Sequence, residues 1–149
     1  MRVLKGLGLA MMAVVMSACH SSAPSDLLES VSAKDHAGDQ WVLEAGVLAG
    51  KALDLSILEA GNRITLTFYE QQALVGQSAV NNYRVPVTVK GAKIEHTGPV
   101  ISTLMAAPVE LMNLEHQYLQ AMEKVAEIQR KGAQLVLVGD GVRLQYRAL

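Results

Sequence analysis

Over residues 62–70 apolar and polar side chains alternate, with Ile64, Leu66 and Phe68 set against Arg63, Thr65 and Thr67. A period of two predicts a strand that buries one face, and Gly61-Asn62 supplies a turn before it. Residues 41–43, 74–80, 83–90 and 92–97 are shorter stretches of the same kind, with Asn81-Asn82 and Lys90-Gly91 as breaks. Short strands with tight breaks predict an antiparallel meander. Pro86 has no N–H to give a ladder, so the 83–90 strand is expected at an edge or with a bulge.

The period changes after Pro108. Leu111, Leu114, Tyr118, Ala121, Met122 and Val125 recur at spacings of three and four, which predicts one amphipathic helix. Proline tolerates the first turn, and Glu110 places negative charge where the helix dipole favours it. Glu115 and His116 are read as part of the solvated helix face, since adjacent helical residues point about 100° apart. Strands are expected at 134–138 and 142–147 across a Gly139-Asp140-Gly141 turn, and at 125–130 before Lys131-Gly132. One helix among many antiparallel strands is an α+β domain.

The amino-terminal end follows neither period. Arg2 and Lys5 precede an uncharged run that ends in Ser17-Ala18-Cys19, the layout of a secretory leader. The run is about ten residues, against the roughly 20 needed to span a bilayer. Met16-Ser17-Ala18-Cys19 resembles a lipobox, which implies cleavage before Cys19 and acylation of that residue, an anchor of two or more chains that holds stably. The competing reading is an ordinary secretory signal that leaves Cys19 a free thiol. Residues 1–18 are thus the signal peptide and 19–39 a tether with the flexible Ser21-Ser22-Ala23-Pro24-Ser25. Within the tether, residues 26–32 are either a short helix capped by Ser25 or disordered. The folded domain is expected at 40–149.

The whole chain has 13 Lys and Arg against 14 Asp and Glu in 149 residues. Without Arg2 and Lys5 the basic count falls to 11 and the formal charge to −3, which offers no basic patch for nucleic acid. Cys19 is the only cysteine, so packing alone must hold the domain together.

Several pieces occur in a characteristic order: Gly76, Asn81-Asn82-Tyr83, Gly91-Ala92-Lys93-Ile94, Gly98-Pro99, Ser102-Thr103, Met105-Ala106-Ala107-Pro108, Glu115, Tyr118-Leu119 and Leu135-Val136-Leu137. Together they resemble the META domain, the HslJ-like family of bacterial envelope lipoproteins, over residues 40–149. Val80 and Ala107 stand where that family usually has cysteines, and the family's glycine after the Asn-aromatic step falls near Val85-Pro86. The resemblance implies an antiparallel sheet curled into an incomplete β-barrel around the helix. It implies association with stress response or antibiotic tolerance, and no established reaction. In lipoproteins of this class an aspartate after the cysteine signals inner-membrane retention. His20 stands there, so the expected location is the outer membrane, facing the periplasm.

No catalytic, cofactor or metal constellation is legible. His96 and His116 lack a histidine at i+3 or i+4, and Gly139-Asp140-Gly141 lacks the further oxygens of a calcium loop. Met105, Met112 and Met122 read as core, with an adaptable groove as the competing reading. Asn81, Asn82, Tyr83, Ser102 and Thr103 are the candidate partner-binding residues, with turn chemistry as the alternative. The expected function is a non-enzymatic envelope lipoprotein that meets the membrane through its lipid and binds an unidentified protein or lipid partner. The alternative is a pilotin-like carrier whose half-open barrel shelters an acyl chain or a secretion-component peptide.

Overall fold

The computed structural model describes residues 29–30 and 39–149. Among these described residues eleven strands and one long helix follow one another: β1 Glu29–Ser30, β2 Gln40–Leu48, β3 Lys51–Ala52, β4 Thr65–Tyr69, β5 Ala73–Gln77, β6 Asn82–Lys90, β7 Lys93–His96, β8 Ile101–Ser102, α1 Val109–Met122, β9 Val125–Lys131, β10 Gln134–Gly139 and β11 Val142–Ala148. The alternation at 62–70 becomes β4, with Leu66 and Phe68 buried and Tyr69 exposed. The closing hairpin turns through Gly141 at φ +65°, a backbone that an L side chain resists.

Every pairing is antiparallel, in the order β9-β10-β11-β2-β4-β5-β6-β7, and β7 returns to β9. The seam is Lys93 opposite Glu127, reinforced by Ile128 N–H donating to Ala92 O at 2.7 Å. The barrel of eight strands is therefore closed, which corrects the expected incomplete barrel. Closure removes the two long open edges that a curled sheet would leave.

Pro86 sits in an inner strand, paired on both sides, which corrects its expected place at an edge or bulge. Val87 and Val89 send their N–H groups toward the β4–β5 turn, so Pro86 faces the other way. On that side β6 changes partner, from β8 at Tyr83 and Arg84 to β7 from Val87 onward. The missing donor falls in the gap between them.

Glu29–Ser30 is extended and pairs with Arg130 and Gln129 of β9, which fits neither the short helix nor the disorder considered over 26–32 at these two residues. The other residues of that stretch, and Cys19, lie outside the described residues.

The register also orders the two ends of the barrel. β6 and β9 begin at the same end, with the β5–β6 turn and the Gly139–Gly141 turn, while β1 and the start of β2 lie at the other. Leu114, Tyr118, Ala121 and Met122 of α1 join the same core as Leu66, Phe68, Leu74, Val85, Leu137 and Leu144. Each of the Leu, Val, Phe and Met side chains among them contributes about 1.5–3 kcal/mol on burial. The interior is filled with side chains.

Candidate functional site

Glu115 sits one helical turn before Tyr118 and Leu119 and one turn after Leu111, so it belongs to the stripe that α1 turns inward. It is 4% exposed, which corrects the solvated position expected for it. Its Oε2 accepts from Ser78 Oγ, from Val80 N at 3.0 Å and from Asn81 N at 2.7 Å. Oε1 accepts from Asn81 Nδ2 at 2.7 Å. Burial alone pushes this carboxyl up, but the hydrogen bonds from Ser78, Asn81 and Val80 outweigh it and hold it below the usual range.

Asn81 uses its whole side chain. Nδ2 donates to Glu115 and to Met105 O at 3.3 Å, while Oδ1 accepts from Thr103 Oγ1 at 2.9 Å and Met105 N at 2.7 Å. An amide has two donors and two acceptor lone pairs, and all four are engaged. The β5–β6 turn, the segment before the helix and α1 are thereby tied at one point.

A second polar network lies deeper. Tyr118 Oη is 2.8 Å from Tyr83 Oη and 3.0 Å from Tyr146 Oη, and Tyr83 Oη donates to Thr65 O at 2.8 Å. Three protons serve three oxygen-to-oxygen contacts only if Tyr146 donates to Tyr118 and Tyr118 to Tyr83. Tyr146 Oη also lies 3.7 Å from Met122 Sδ, a weaker acceptor. Burial pushes all three phenols well above their ordinary range. Gly76 makes the network possible: a Cβ there would stand 2.0 Å from Thr65 O and 3.1 Å from the Tyr83 ring. Gly76, Asn81 and Tyr83 of the motif are thus framework.

Beside the Glu115 knot the surface turns apolar. Ile101 is 56% exposed, Leu104 96%, Met105 57% and Val109 63%. No residue from 97 to 109 carries a charge. Two open depressions of about 260 Å³ each lie here, one lined by Asn82, Arg84, Ile101 and Thr103, the other by Leu104, Met105, Met112 and Ser102 among others.

The predicted partner-binding residues divide accordingly. Asn81 and Tyr83 are buried, at 1% and 4% exposure, and are not presented to a partner. Asn82 and Thr103 are exposed and Ser102 is half-buried, all three beside the apolar rim. Of the methionines, Met122 is core, Met112 half-buried and Met105 exposed. His116 is exposed, and His96 Nε2 lies 2.8 Å from Val125 O near the barrel seam. Among the described residues no cluster of three or more His, Cys, Asp or Glu gathers as a metal site, and no helix is long and apolar enough to cross a membrane. Sequence reasoning missed Glu115, although its place in the apolar stripe was a signal.

The META domain family model matches residues 34–148. A structure determined by NMR of a protein from Burkholderia xenovorans is similar over 99% of both chains, with a TM-score of 0.66 and 24% identity. A second NMR structure is similar over 78% of this chain and 94% of its own, with a TM-score of 0.57 and 20% identity. At these identities the likeness concerns the fold. A comparison with curated proteins gave no match.

Proposed function

The chain belongs to the META domain family, and from that premise we propose that it is a non-enzymatic binding protein of the cell envelope. The observation that carries this reading is the rim at residues 101–109, where four large apolar side chains stand in solvent on a segment that Asn81 holds in place. Exposed apolar surface next to a rigid support is the mark of an interaction site. The buried ionisable groups support a binding role over a chemical one. Glu115 and the three tyrosines are occupied with one another and with the backbone.

In this reading Cys19 carries the lipid, residues 20–39 form the tether, and the domain works at the outer membrane facing the periplasm. A contribution to envelope stress or antibiotic tolerance then follows from the partner that the rim holds. Leu114, Tyr118, Ala121 and Met122 pack into the barrel core, and the depression of about 300 Å³ beside the helix has Lys51 and Gln117 in its lining, which counts against the pilotin-like carrier and its need for an apolar space of roughly 300 Å³ or more beneath the helix. The test is photo-crosslinking in cells from position 104, with position 70 at the opposite end of the barrel as control. A discrete product from 104 and none from 70 supports the reading, and equal labelling from both counts against it. Fractionation of Cys19→Ser tests the anchor: the variant is expected to leave the membrane fraction, and its retention there would contradict lipid attachment.

A further inference from the structure

We infer that β8 is a receiving edge, to which an extended, uncharged, aliphatic segment of a partner protein adds as a further strand. The inference rests on the binding role proposed above and gives the partner its chemistry. β8 meets β6 with Ile101 opposite Arg84 and Ser102 opposite Tyr83, and Thr103 N–H donates to Asn82 O at 3.0 Å. Backbone groups alternate in direction along a strand, so the N–H and C=O of Ser102 point away from β6. Among the described residues nothing in the barrel accepts from or donates to them. They form the free edge of a sheet, and a free edge takes a strand.

The surroundings suit a strand better than other occupants. Side chains of an added strand point alternately to its two faces, and two depressions of about 260 Å³ each adjoin β8 to receive them. Ser102 and Thr103 line both. Residues 97–109 have no charge and Leu104 and Met105 offer aliphatic surface, while the charged groups lining the depressions are engaged elsewhere, Arg84 over the Tyr69 ring at 5.4 Å and Glu115 by Ser78, Val80 and Asn81, so the matching segment is aliphatic and uncharged. A bilayer is disfavoured because unpaired N–H and C=O groups at a sheet edge cannot enter hydrocarbon. A helix is disfavoured because its own backbone is already paired and leaves the edge unmet.

The edge is also held ready. Asn81 clamps Met105 through both N–H and C=O, and Thr103 bonds to Asn81 and Asn82, so little freedom is lost when a strand docks. The barrel already uses this device once, where the two residues of β1 add to β9.

The probe is a short, blocked, fluorescein-labelled peptide of alternating Val and Thr, titrated by anisotropy into the full chain in detergent. Its partner probe is the same peptide with N-methylated backbone amides. The unmodified peptide is expected to bind, with affinity falling about tenfold or more on N-methylation and in Ser102→Pro, while Glu70→Gln, at the opposite end of the barrel, binds as wild type. Pairing with β6 uses Ile101 and Thr103, so the proline removes only the outward donor. Should Ser102→Pro unfold, the wild-type Ser102 amide decides: its hydrogen exchange is expected to slow when the peptide is added. Equal binding of both peptides, no binding, unchanged exchange at Ser102, or binding only to phospholipid vesicles or to a second copy of the chain would overturn the inference. Crosslinking from position 104 together with equal binding of both peptides would keep the rim as an interaction surface and remove strand addition. No product from position 104 and no peptide binding would remove both.

Discussion

The Glu115 knot and the rim at residues 101–109 touch each other, yet each inverts the usual rule of burial. In the knot a carboxylate and an amide are buried, with Glu115 4% and Asn81 1% exposed. In the rim, one hydrogen bond away through Asn81 Oδ1 and Met105 N at 2.7 Å, Leu104 is 96% exposed. The polar region is complete, because each oxygen and nitrogen of its two side chains has a partner. The apolar region is incomplete, because no described part of the chain covers it. A buried polar group that is fully satisfied serves as framework, whereas exposed apolar surface with no cover calls for a partner. The difference assigns support to one region and binding to the other.

The largest expected effect comes from breaking the knot. Glu115→Ala removes the acceptor shared by Ser78 Oγ, Val80 N, Asn81 N and Asn81 Nδ2, leaving Val80 N with none and the others with Asn81 O, Ser78 Oγ and Met105 O, and should lower stability by about 2–3 kcal/mol. That corresponds to roughly 10 °C in Tm for a domain of this size. Urea unfolding within about 0.5 kcal/mol of wild type would show that the knot is not framework. Tyr118→Phe removes the middle hydroxyl of the tyrosine chain and should cost about 1–2 kcal/mol. Tyr83→Phe should cost a similar amount, with less than additive loss in the double variant because both act on one network. Strict additivity would dismantle that network.

A smaller effect depends on pH. The folded carboxyl of Glu115 titrates below the ordinary range, so the unfolded chain takes up the proton first as pH falls. The contribution is therefore fully present above the usual carboxylate range, and is lost as pH falls through that range and then through the lower folded value. Urea midpoints measured across acidic pH should slope downward in wild type and less steeply in Glu115→Gln. Identical slopes would assign the acid sensitivity to other carboxylates.

Local pattern carried much of this fold. The alternation over 62–70 became β4, the spacing after Pro108 became α1, and Gly139-Asp140-Gly141 became the last hairpin. Barrel closure was not legible, because it depends on Lys93 meeting Glu127 across more than thirty residues of chain, and no local period records that pairing. β8 escaped notice because two residues cannot display an alternation. β2 was seen only as residues 41–43, since Glu44 and Ala45 are both exposed and break the alternation. Glu115 was misplaced by its charge, although its spacing from Leu111 and Tyr118 put it on the inward stripe. Asn82, Ser102 and Thr103 were found beside the rim, while Asn81 and Tyr83 were found for a different reason: they build the framework beneath it.

The most direct test of this division is the double variant Leu104→Ser, Met105→Ser, with its unfolding midpoint and its crosslinking yield from position 101 measured on the same preparation. The account predicts stability within about 0.5 kcal/mol of wild type, because both side chains already stand in water, together with loss of the crosslinked product. An undiminished yield, or a protein that unfolds when these two side chains are removed, would contradict it.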